Sequence, residues 1–163
     1  HNSLLDKVED NHTLYYEIVG YLPSGKVIMP NHNLDGKEYK YTYGCDYAQL
    51  KVLVYRITKV QDNGLYYEYS FDELVQYCNK YNFTHVPVVD QFIYSGNKVD
   101  IVNKVIEYCN NNPYQYEGLL EGVVIRNDDT TACKFVKFKS NLFSDAEGIS
   151  KQSEKFVDLE GMS

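Results

Sequence analysis

A glutamate at the start of an apolar segment is the first candidate for chemistry. Glu121 opens the segment EGVVIR (121–126) directly after two leucines. Gly122 beside it lets a ligand or a second backbone approach closely. A carboxylate at the mouth of a buried strand suits a divalent metal ion or a ribose hydroxyl. A strand-end glutamate that faces water is the alternative interpretation.

Two lysines follow on the next predicted strand. In the segment KFVKFK (134–139), Lys137 and Lys139 alternate with Val136 and Phe138, so both lysine side chains face one side of the strand. The rise per residue places them about 7 Å apart, a spacing at which two ammonium groups can span neighbouring phosphates. Phe135, the next residue on that face, is apolar. The solvated face of an amphipathic strand is the alternative interpretation.

A tyrosine and a second glutamate lie in two further apolar segments. Tyr55, in VYRI (54–57), could stack on a base, although a lone aromatic residue in a strand more often belongs to the core. Glu17 lies in YYEIVG (15–20), where alternation points it away from Tyr16 and Ile18. A carboxylate in so apolar a strand needs a partner. It could accept hydrogen bonds from ribose hydroxyls, or be a paired or exposed structural residue.

These candidates lie on strands of a predicted α+β fold. The turn Asp62-Asn63-Gly64 predicts a hairpin, residues 127–129 predict another turn, and residues 31–36 predict a loop. We expect mostly antiparallel sheets with helices inserted between the strands. Apolar and β-branched residues bounded by turn signals predict strands at 13–20, 26–29, 51–60, 65–69, 86–89, 119–126 and 133–139.

Two helices are predicted between the strands. Ser70 and Glu73 have the spacing of a capping box, and apolar residues at helical spacing follow as far as Tyr81. A second helix is predicted over 98–109, before the sequence Asn-Asn-Asn-Pro. Residues 1–143 are expected to form one partial domain, with 144–163 as a C-terminal connector or helix. The predicted inner face of the second helix consists of Ile101, Val102, Val105, Ile106 and Cys109.

Composition limits the possible functions. The chain has 163 residues, 44% hydrophobic and 24% charged, which is typical of one globular domain. A formal net charge of -7 argues against a surface coated with basic residues for bulk nucleic-acid binding, but it allows a local basic pocket. The four cysteines are far apart, so no zinc or redox motif is predicted. No apolar stretch reaches membrane-spanning length and no signal peptide is recognisable, which predicts a cytoplasmic protein. The 17 tyrosines and the absence of tryptophan, together with many Asn and Lys residues, indicate an AT-rich genome and are compatible with a phage or virus origin.

The order of these segments resembles the covalent nucleotidyltransferase superfamily and, within it, the ATP-dependent RNA ligases. That family has E-x-x-G, an aromatic residue before a short strand, E-G-x-V and K-x-K in this order, as motifs III, IIIa, IV and V. Here YYEIVG, VYRI, EGVVIR and KFVKFK stand at the corresponding places, and the resemblance covers residues 13–140. FDEL (71–74) and Val86-Pro87 look like the family's insert between motifs IIIa and IV.

The resemblance implies a role for each candidate residue. Glu17 would bind the ribose of ATP, and Tyr55 would stack on the adenine of ATP or AMP. Glu121 would assist a divalent metal ion, Mg²⁺ or Mn²⁺, and Lys137 with Lys139 would hold the α-phosphate. The complete enzyme would join RNA 5′-phosphate and 3′-hydroxyl ends through a lysyl-AMP intermediate. Paired lysines and a metal ion would offset the charge that develops on the attacked phosphate.

The sequence departs from the family pattern in two places. Such enzymes need a lysine nucleophile in a K-x-D-G motif upstream of E-x-x-G, and only Lys7, outside any such motif, lies upstream of Glu17 here. We therefore expect the nucleophile in the remainder of the ligase polypeptide upstream of His1, and the chain alone to be inactive. NLDG (33–36) has the form of the motif with Asn for Lys, but it follows Glu17 and is predicted to be a loop. Arg56 stands where family members have an aspartate.

Two other interpretations remain at this point. An mRNA guanylyltransferase or a DNA ligase of the same superfamily would share most of these motifs, although EGVVIR and Val86-Pro87 favour an RNA ligase. A non-catalytic module that binds nucleotides without a nucleophile is an alternative from a different functional class.

Overall fold

The computed structural model describes residues 6–128 and 134–149, which form an α+β fold of mostly antiparallel strands in small sheets. Two helices are α1 (Phe71–Tyr81) and α2 (Lys98–Asn111), and residues 141–149 are also helical. The strands are β1 (His12–Gly20), β2 (His32–Leu34), β3 (Lys37–Tyr39), β4 (Leu50–Val60), β5 (Tyr66–Glu68), β6 (Thr84–His85), β7 (Tyr114–Gln115), β8 (Gly118–Leu119), β9 (Gly122–Asn127) and β10 (Lys134–Lys139).

The chain divides into two compact units. So far as the structure describes these ranges, unit 1 consists of His1–Val19, Lys51–Gln91 and Arg126–Phe135. Unit 2 consists of Gly20–Leu50, Phe92–Ile125 and Val136–Ser163. Among the described residues, no helix is both long and apolar enough to span a membrane.

Unit 1 is built on the longest strand, β4. It pairs with β1 on one side and antiparallel with β5 on the other, in the register Thr58↔Glu68. The short strand β6 pairs with β4 in parallel, and the bond from the Val86 N–H to the Val54 carbonyl, 3.0 Å long, follows it. Pro87 then has no N–H to donate, so the pairing ends. The strand predicted at 86–89 was therefore misplaced, and Val88 and Val89 are more than half exposed.

Helix α1 covers this sheet because its sequence specifies both its start and its buried face. Ser70 accepts from the Glu73 N–H, and the Glu73 carboxylate accepts from the Ser70 N–H, which confirms the predicted capping box. Leu74 and Cys78, one turn apart, are fully buried. Burial raises the pKa of the Cys78 thiol to about 11, so it stays a protonated apolar group. The core of unit 1 consists of Val54, Ile57, Leu74, Tyr77 and Cys78.

Unit 2 contains two small hairpins. Strands β2 and β3 pair antiparallel around Asp35 and Gly36, which have φ of 52° and 77°. Two consecutive positive φ angles at Asp-Gly form the two-residue turn that hairpins favour. The prediction of a loop over 31–36 was therefore wrong, because the Asp-Gly turn signal outweighs the polar composition around it. Strands β7 and β8 form the second hairpin, and a buried cluster of Tyr39, Leu119 and Ala146 lies among these elements.

Three further predictions differ from the structure. The helix predicted at 98–109 is confirmed as α2, but of its predicted inner face only Val105 is buried, while Val102 and Ile106 are 41% and 52% exposed. Helical spacing specifies that a helix forms, but not that every apolar residue finds a packing partner. The strand predicted at 119–126 is divided into β8 and β9 by Leu120 and Glu121. Residues 26–29 contribute one bridge, Tyr21↔Val27.

Some predicted features fall outside the described residues. Strands β9 and β10 pair as predicted. Residue 129 of the predicted turn at 127–129 lies outside the described part of the chain. Cys133 and most of the predicted C-terminal connector also lie outside it.

Candidate functional site

Glu121 is the centre of a polar cluster in unit 2. Its Oε1 accepts a hydrogen bond from Lys137 Nζ at 3.0 Å, and its Oε2 accepts one from the Tyr43 hydroxyl at 3.4 Å. The Glu121 side chain is 28% exposed and the Lys137 side chain 54% exposed. The ion pair is therefore partly exposed to solvent. Either group could leave its partner and bind a ligand at modest cost in free energy.

The backbone of Glu121 is fixed from the end of β10. The Ser140 N–H donates to the Glu121 carbonyl at 2.8 Å, and the Ser140 hydroxyl donates to the Leu120 carbonyl. The same hydroxyl accepts from the Phe143 N–H at 3.2 Å, in the manner of an N-cap for the helical residues 141–149. Ser140 thus ties the start of this helix to the residue before β9. Ser140 was not among the predicted site residues, although a serine at the end of a predicted strand is a recognisable signal for a helix N-cap.

Gly122 allows β10 to approach this close to Glu121. Its φ is 151°, and a Cβ added there would lie 1.8 Å from the Phe138 carbonyl oxygen. Only glycine can occupy a position where a neighbouring backbone comes so near. The sequence prediction that Gly122 permits a close approach is confirmed, and the approaching group is the backbone of β10.

Lys139 has a different partner from Lys137. Its Nζ donates to Glu147 Oε2 at 2.8 Å and lies 5.6 Å from the centre of the Phe143 ring. The Lys139 side chain is 41% exposed. Both predicted phosphate-binding lysines are thus held by carboxylates, Lys137 by Glu121 and Lys139 by Glu147. No sequence pattern had marked Glu147 or Tyr43.

A small cleft opens beside Glu121. Burial raises the pKa of the Tyr41 hydroxyl at its wall to about 12, and the nearby Glu121 carboxylate adds to the rise because a negative charge disfavours a phenolate. This hydroxyl is therefore protonated across the physiological pH range. The cleft is lined by Tyr41, Tyr43, Gln115, Tyr116, Leu119 and Glu121.

Glu17 and Tyr55 lie in unit 1, on the paired strands β1 and β4. The Tyr55 ring lies 6.4 Å from the ring of Tyr15, centre to centre. Residues two apart on a strand share a face, so Glu17 points to the same side of β1 as Tyr15. Glu17 is exposed and Tyr55 is 38% exposed. Tyr55 is thus not a core residue, and this face presents an aromatic ring and a carboxylate from neighbouring strands.

The alternation of β4 breaks next to Tyr55. Val54 and Ile57 are both buried although they are three residues apart, so Tyr55 and Arg56 together lie outside the core. Arg56 makes a bidentate ion pair with Glu68 on β5, with Nε–Oε1 and Nη2–Oε2 distances of 2.8 and 2.9 Å. This pair explains how an arginine is accommodated where the resemblance leads one to expect an aspartate.

Aromatic rings and guanidinium groups alternate further along this face. The Arg56 guanidinium lies 4.8 Å from the ring centre of Tyr15 and 5.5 Å from that of Phe135. The Arg126 guanidinium lies 5.1 Å from the same Phe135 ring, and it donates to Asp128 and to the Tyr69 carbonyl. These cation–π contacts connect Tyr15, which lies beside Tyr55, to Arg126, whose side chain is only 10% exposed.

The side chains around Glu121 limit how a magnesium ion could bind there. Among residues 6–128 and 134–149, no three or more His, Cys, Asp or Glu side chains are grouped so that they could hold a metal ion. Mg²⁺ often binds through one or two carboxylates together with substrate phosphates and water. Glu121 could serve as one such carboxylate, in a mode where a phosphate-bearing ligand and water supply the other ligands.

The structure thus brings Glu121 and Lys137 into contact in unit 2, with Lys139 two residues along the same strand. It places Glu17 and Tyr55 on neighbouring strands of unit 1. A protein-family model described as RNA ligase matches residues 2–143. No curated protein and no solved structure matches the chain.

Proposed function

Since the chain belongs to the RNA ligase family, we propose that it forms the nucleotide-binding part of an ATP-dependent ligase that joins RNA 5′-phosphate and 3′-hydroxyl ends. Within that family assignment, the observation that carries the proposal is the 3.0 Å contact between Glu121 and Lys137. It joins two motifs that are 16 residues apart in the sequence and that could serve one phosphate group.

The proposed reaction has three transfers. A lysine amine, outside this chain, attacks the α-phosphorus of ATP, a P–N bond forms and pyrophosphate leaves. The RNA 5′-phosphate oxygen then displaces the lysine, which gives an RNA end capped by AMP. The RNA 3′-hydroxyl finally attacks that 5′-phosphate, the phosphodiester bond forms and AMP leaves.

Lys137 and Lys139 would hold the α-phosphate of ATP. Negative charge accumulates on the nonbridging oxygens as the phosphorus is attacked, and two ammonium groups fixed on one strand offset that charge. Each lysine is paired with a carboxylate, Lys137 with Glu121 and Lys139 with Glu147, and would exchange that partner for the phosphate when the nucleotide binds. Because all four side chains are partly exposed, this exchange costs little.

Glu121 would hold a divalent metal ion together with the nucleotide phosphates. Such an ion would supply Lewis-acid stabilisation of the phosphate oxygens. Lys137 Nζ lies next to Glu121 Oε1, and a cation at that oxygen would repel it. Lys137 would then turn from the carboxylate to the phosphate. Binding of the metal ion would thus free Glu121 to hold the ion and Lys137 to bind the phosphate.

Tyr55 and Glu17 would bind the nucleoside of ATP. An exposed ring on β4 offers a stacking face for adenine, and the Glu17 carboxylate on β1 can accept hydrogen bonds from the two ribose hydroxyls. Arg56, the residue next to Tyr55, is held by its ion pair with Glu68, and this pair would steady the backbone of β4 beside the stacking ring.

The proposal is tested by transfer of label from α-labelled ATP in the presence of Mg²⁺. The longest native polypeptide that contains this segment should become labelled, and the 163-residue chain beside it should not. Replacing ATP by GTP should abolish labelling, whereas labelling from GTP would indicate an mRNA guanylyltransferase. Label on neither polypeptide would contradict the ligase proposal and favour a nucleotide-binding module without a nucleophile. Label on the short chain would contradict an upstream nucleophile.

A further inference from the structure

The second hairpin of unit 2 places an exposed tyrosine at the cleft of Glu121. Tyr116 is the first residue of the two-residue turn between β7 and β8, and it is 61% exposed. Its ring centre lies 6.5 Å from that of Tyr43, whose hydroxyl donates to Glu121. Tyr116, Tyr43 and Glu121 all line the same cleft. An aromatic face is therefore held beside the carboxylate proposed to act at the phosphate.

Both tyrosines have a backbone conformation that bulky residues rarely adopt. Tyr43 has φ of 51° and Tyr116 has φ of 56°. Among the described non-glycine residues with positive φ, they are the two aromatic ones. Positive φ angles are usual at turn positions that glycine, asparagine or aspartate occupies, so a bulky ring at such a position is maintained by the surrounding structure against its cost. Here the two that involve aromatic side chains touch each other in one cleft.

The Tyr116 ring packs against Gly44. A Cβ at Gly44, which has φ of 66°, would lie 2.8 Å from Cε1 of Tyr116. A side chain at Gly44 would therefore displace the ring from its present position. The present position of the Tyr116 ring therefore depends on the absence of a side chain at Gly44.

A second exposed ring comes from the same hairpin. Tyr114 is 56% exposed and stacks on Tyr39, with ring centres 6.0 Å apart and an angle of 16° between the planes. Lys37 Nζ lies 5.0 Å from the Tyr39 ring centre and 5.8 Å from that of Tyr114. Exposed aromatic rings with cations beside them are the surface that unpaired nucleic acid recognises, because every base has a face to stack and every nucleotide has a phosphate.

We propose that Tyr116, with Tyr114 as the next ring, stacks on unpaired bases of an RNA strand whose end lies at Glu121 and Lys137. The inference rests on the proposed function, because that function supplies RNA as the ligand. Unpaired bases fit better than a duplex, since bases in a duplex have no free face for stacking. The site would be tolerant of sequence, because stacking makes no hydrogen bonds to base edges.

The test measures the dissociation constant of the chain for a 5′-phosphorylated, dye-labelled single-stranded RNA of about ten nucleotides, by fluorescence anisotropy. The central variant is Tyr116→Gly, which removes the ring and relaxes the positive φ, so the protein should remain folded. Tyr116→Phe keeps the ring. Tyr47→Ala is the matched control, because Tyr47 is also a surface tyrosine of unit 2, 73% exposed, and its ring packs on Tyr21.

We expect Tyr116→Gly to weaken RNA binding roughly 5- to 150-fold, the range that one base–aromatic stack contributes. Tyr116→Phe and Tyr47→Ala should bind as the unmodified chain does. A second RNA, with abasic nucleotides near its 5′ end, should bind the unmodified chain and Tyr116→Gly equally. Equal affinities of Tyr116→Gly and the unmodified chain for intact RNA would overturn the proposal. An equal loss on abasic RNA would also overturn it, because that loss could not come from stacking.

The outcome is separable from that of the ligase proposal. Anisotropy reports RNA affinity and needs neither ATP nor a lysine nucleophile. Failure of label transfer from ATP, together with a loss of RNA binding in Tyr116→Gly, would remove the ligase and leave the stacking site. Label transfer from ATP, together with unchanged RNA binding in Tyr116→Gly, would support the ligase proposal and remove the stacking site.

Discussion

Replacing Gly122 by alanine should separate β9 from β10 and disturb the pairing of Glu121 with Lys137. The added Cβ would lie 1.8 Å from the Phe138 carbonyl oxygen, and 2.9 Å from the Lys139 Cα. A carbon and a carbonyl oxygen come to rest at about 3.3 Å. The backbones of β9 and β10 must therefore move apart by about 1.5 Å. The atoms that the Cβ meets belong to the backbone of β10, so they cannot rotate away as a side chain can.

Two costs add in this variant. Overpacking of this kind destabilises proteins by about 1–3 kcal/mol. A non-glycine residue forced to a positive φ costs about 1–3 kcal/mol more. We expect the free energy of unfolding to fall by about 4 kcal/mol, a large part of the stability of a small domain.

Gly36→Ala in unit 2 separates these two costs. Gly36 has φ of 77°, but a Cβ there would meet nothing within 4 Å. Its substitution should carry only the conformational cost, about 1–2 kcal/mol. Urea unfolding followed by tyrosine fluorescence and far-ultraviolet circular dichroism gives both free energies. If Gly122→Ala lost no more than Gly36→Ala, the close approach of β9 and β10 at Gly122 would be wrong.

Three further predictions concern charged groups. In the longest native polypeptide that contains this segment, Lys137→Ala or Lys139→Ala should lower the rate of label transfer from ATP by roughly 10²–10³-fold, the effect of losing one charged donor at the phosphate; unchanged rates would remove the phosphate-binding assignment. Arg56→Lys should lower the free energy of unfolding by about 1 kcal/mol because lysine cannot pair with both oxygens of Glu68, and in a Glu68→Gln background the same change should cost less in urea unfolding. The Tyr81 hydroxyl and then Lys80 lower the pKa of Glu9 below its usual 4.5, so its contribution to stability is present above that pH and is lost as the pH falls through the lower, folded-state pKa. The urea midpoint of Glu9→Gln should therefore change less between pH 6 and pH 3 than that of the unmodified chain, and parallel curves would contradict this role.

Local sequence signals predicted most of the elements in unit 1. The capping box of Ser70 and Glu73 set the start of α1, and the Asn63-Gly64 turn set the hairpin of β4 and β5. Each of these signals is a contact between residues close in the chain, so it can be read without knowing the fold. The strand at 86–89 failed because its pairing depends on β4, more than 30 residues earlier in the chain.

The sequence by itself determined the family, the α+β class and the order of Glu17, Tyr55, Glu121, Lys137 and Lys139, since motif order is a property of the chain. Only the tertiary structure decided their partners. Glu121 meets Tyr43 across 78 residues, and Lys139 meets Glu147 because Ser140 starts a helix directly after β10. The Tyr43–Tyr116 contact likewise depends on two loops and on the bare backbone of Gly44. Periodicity tells which way a side chain points, but the group it meets there comes from another part of the chain, brought in by packing.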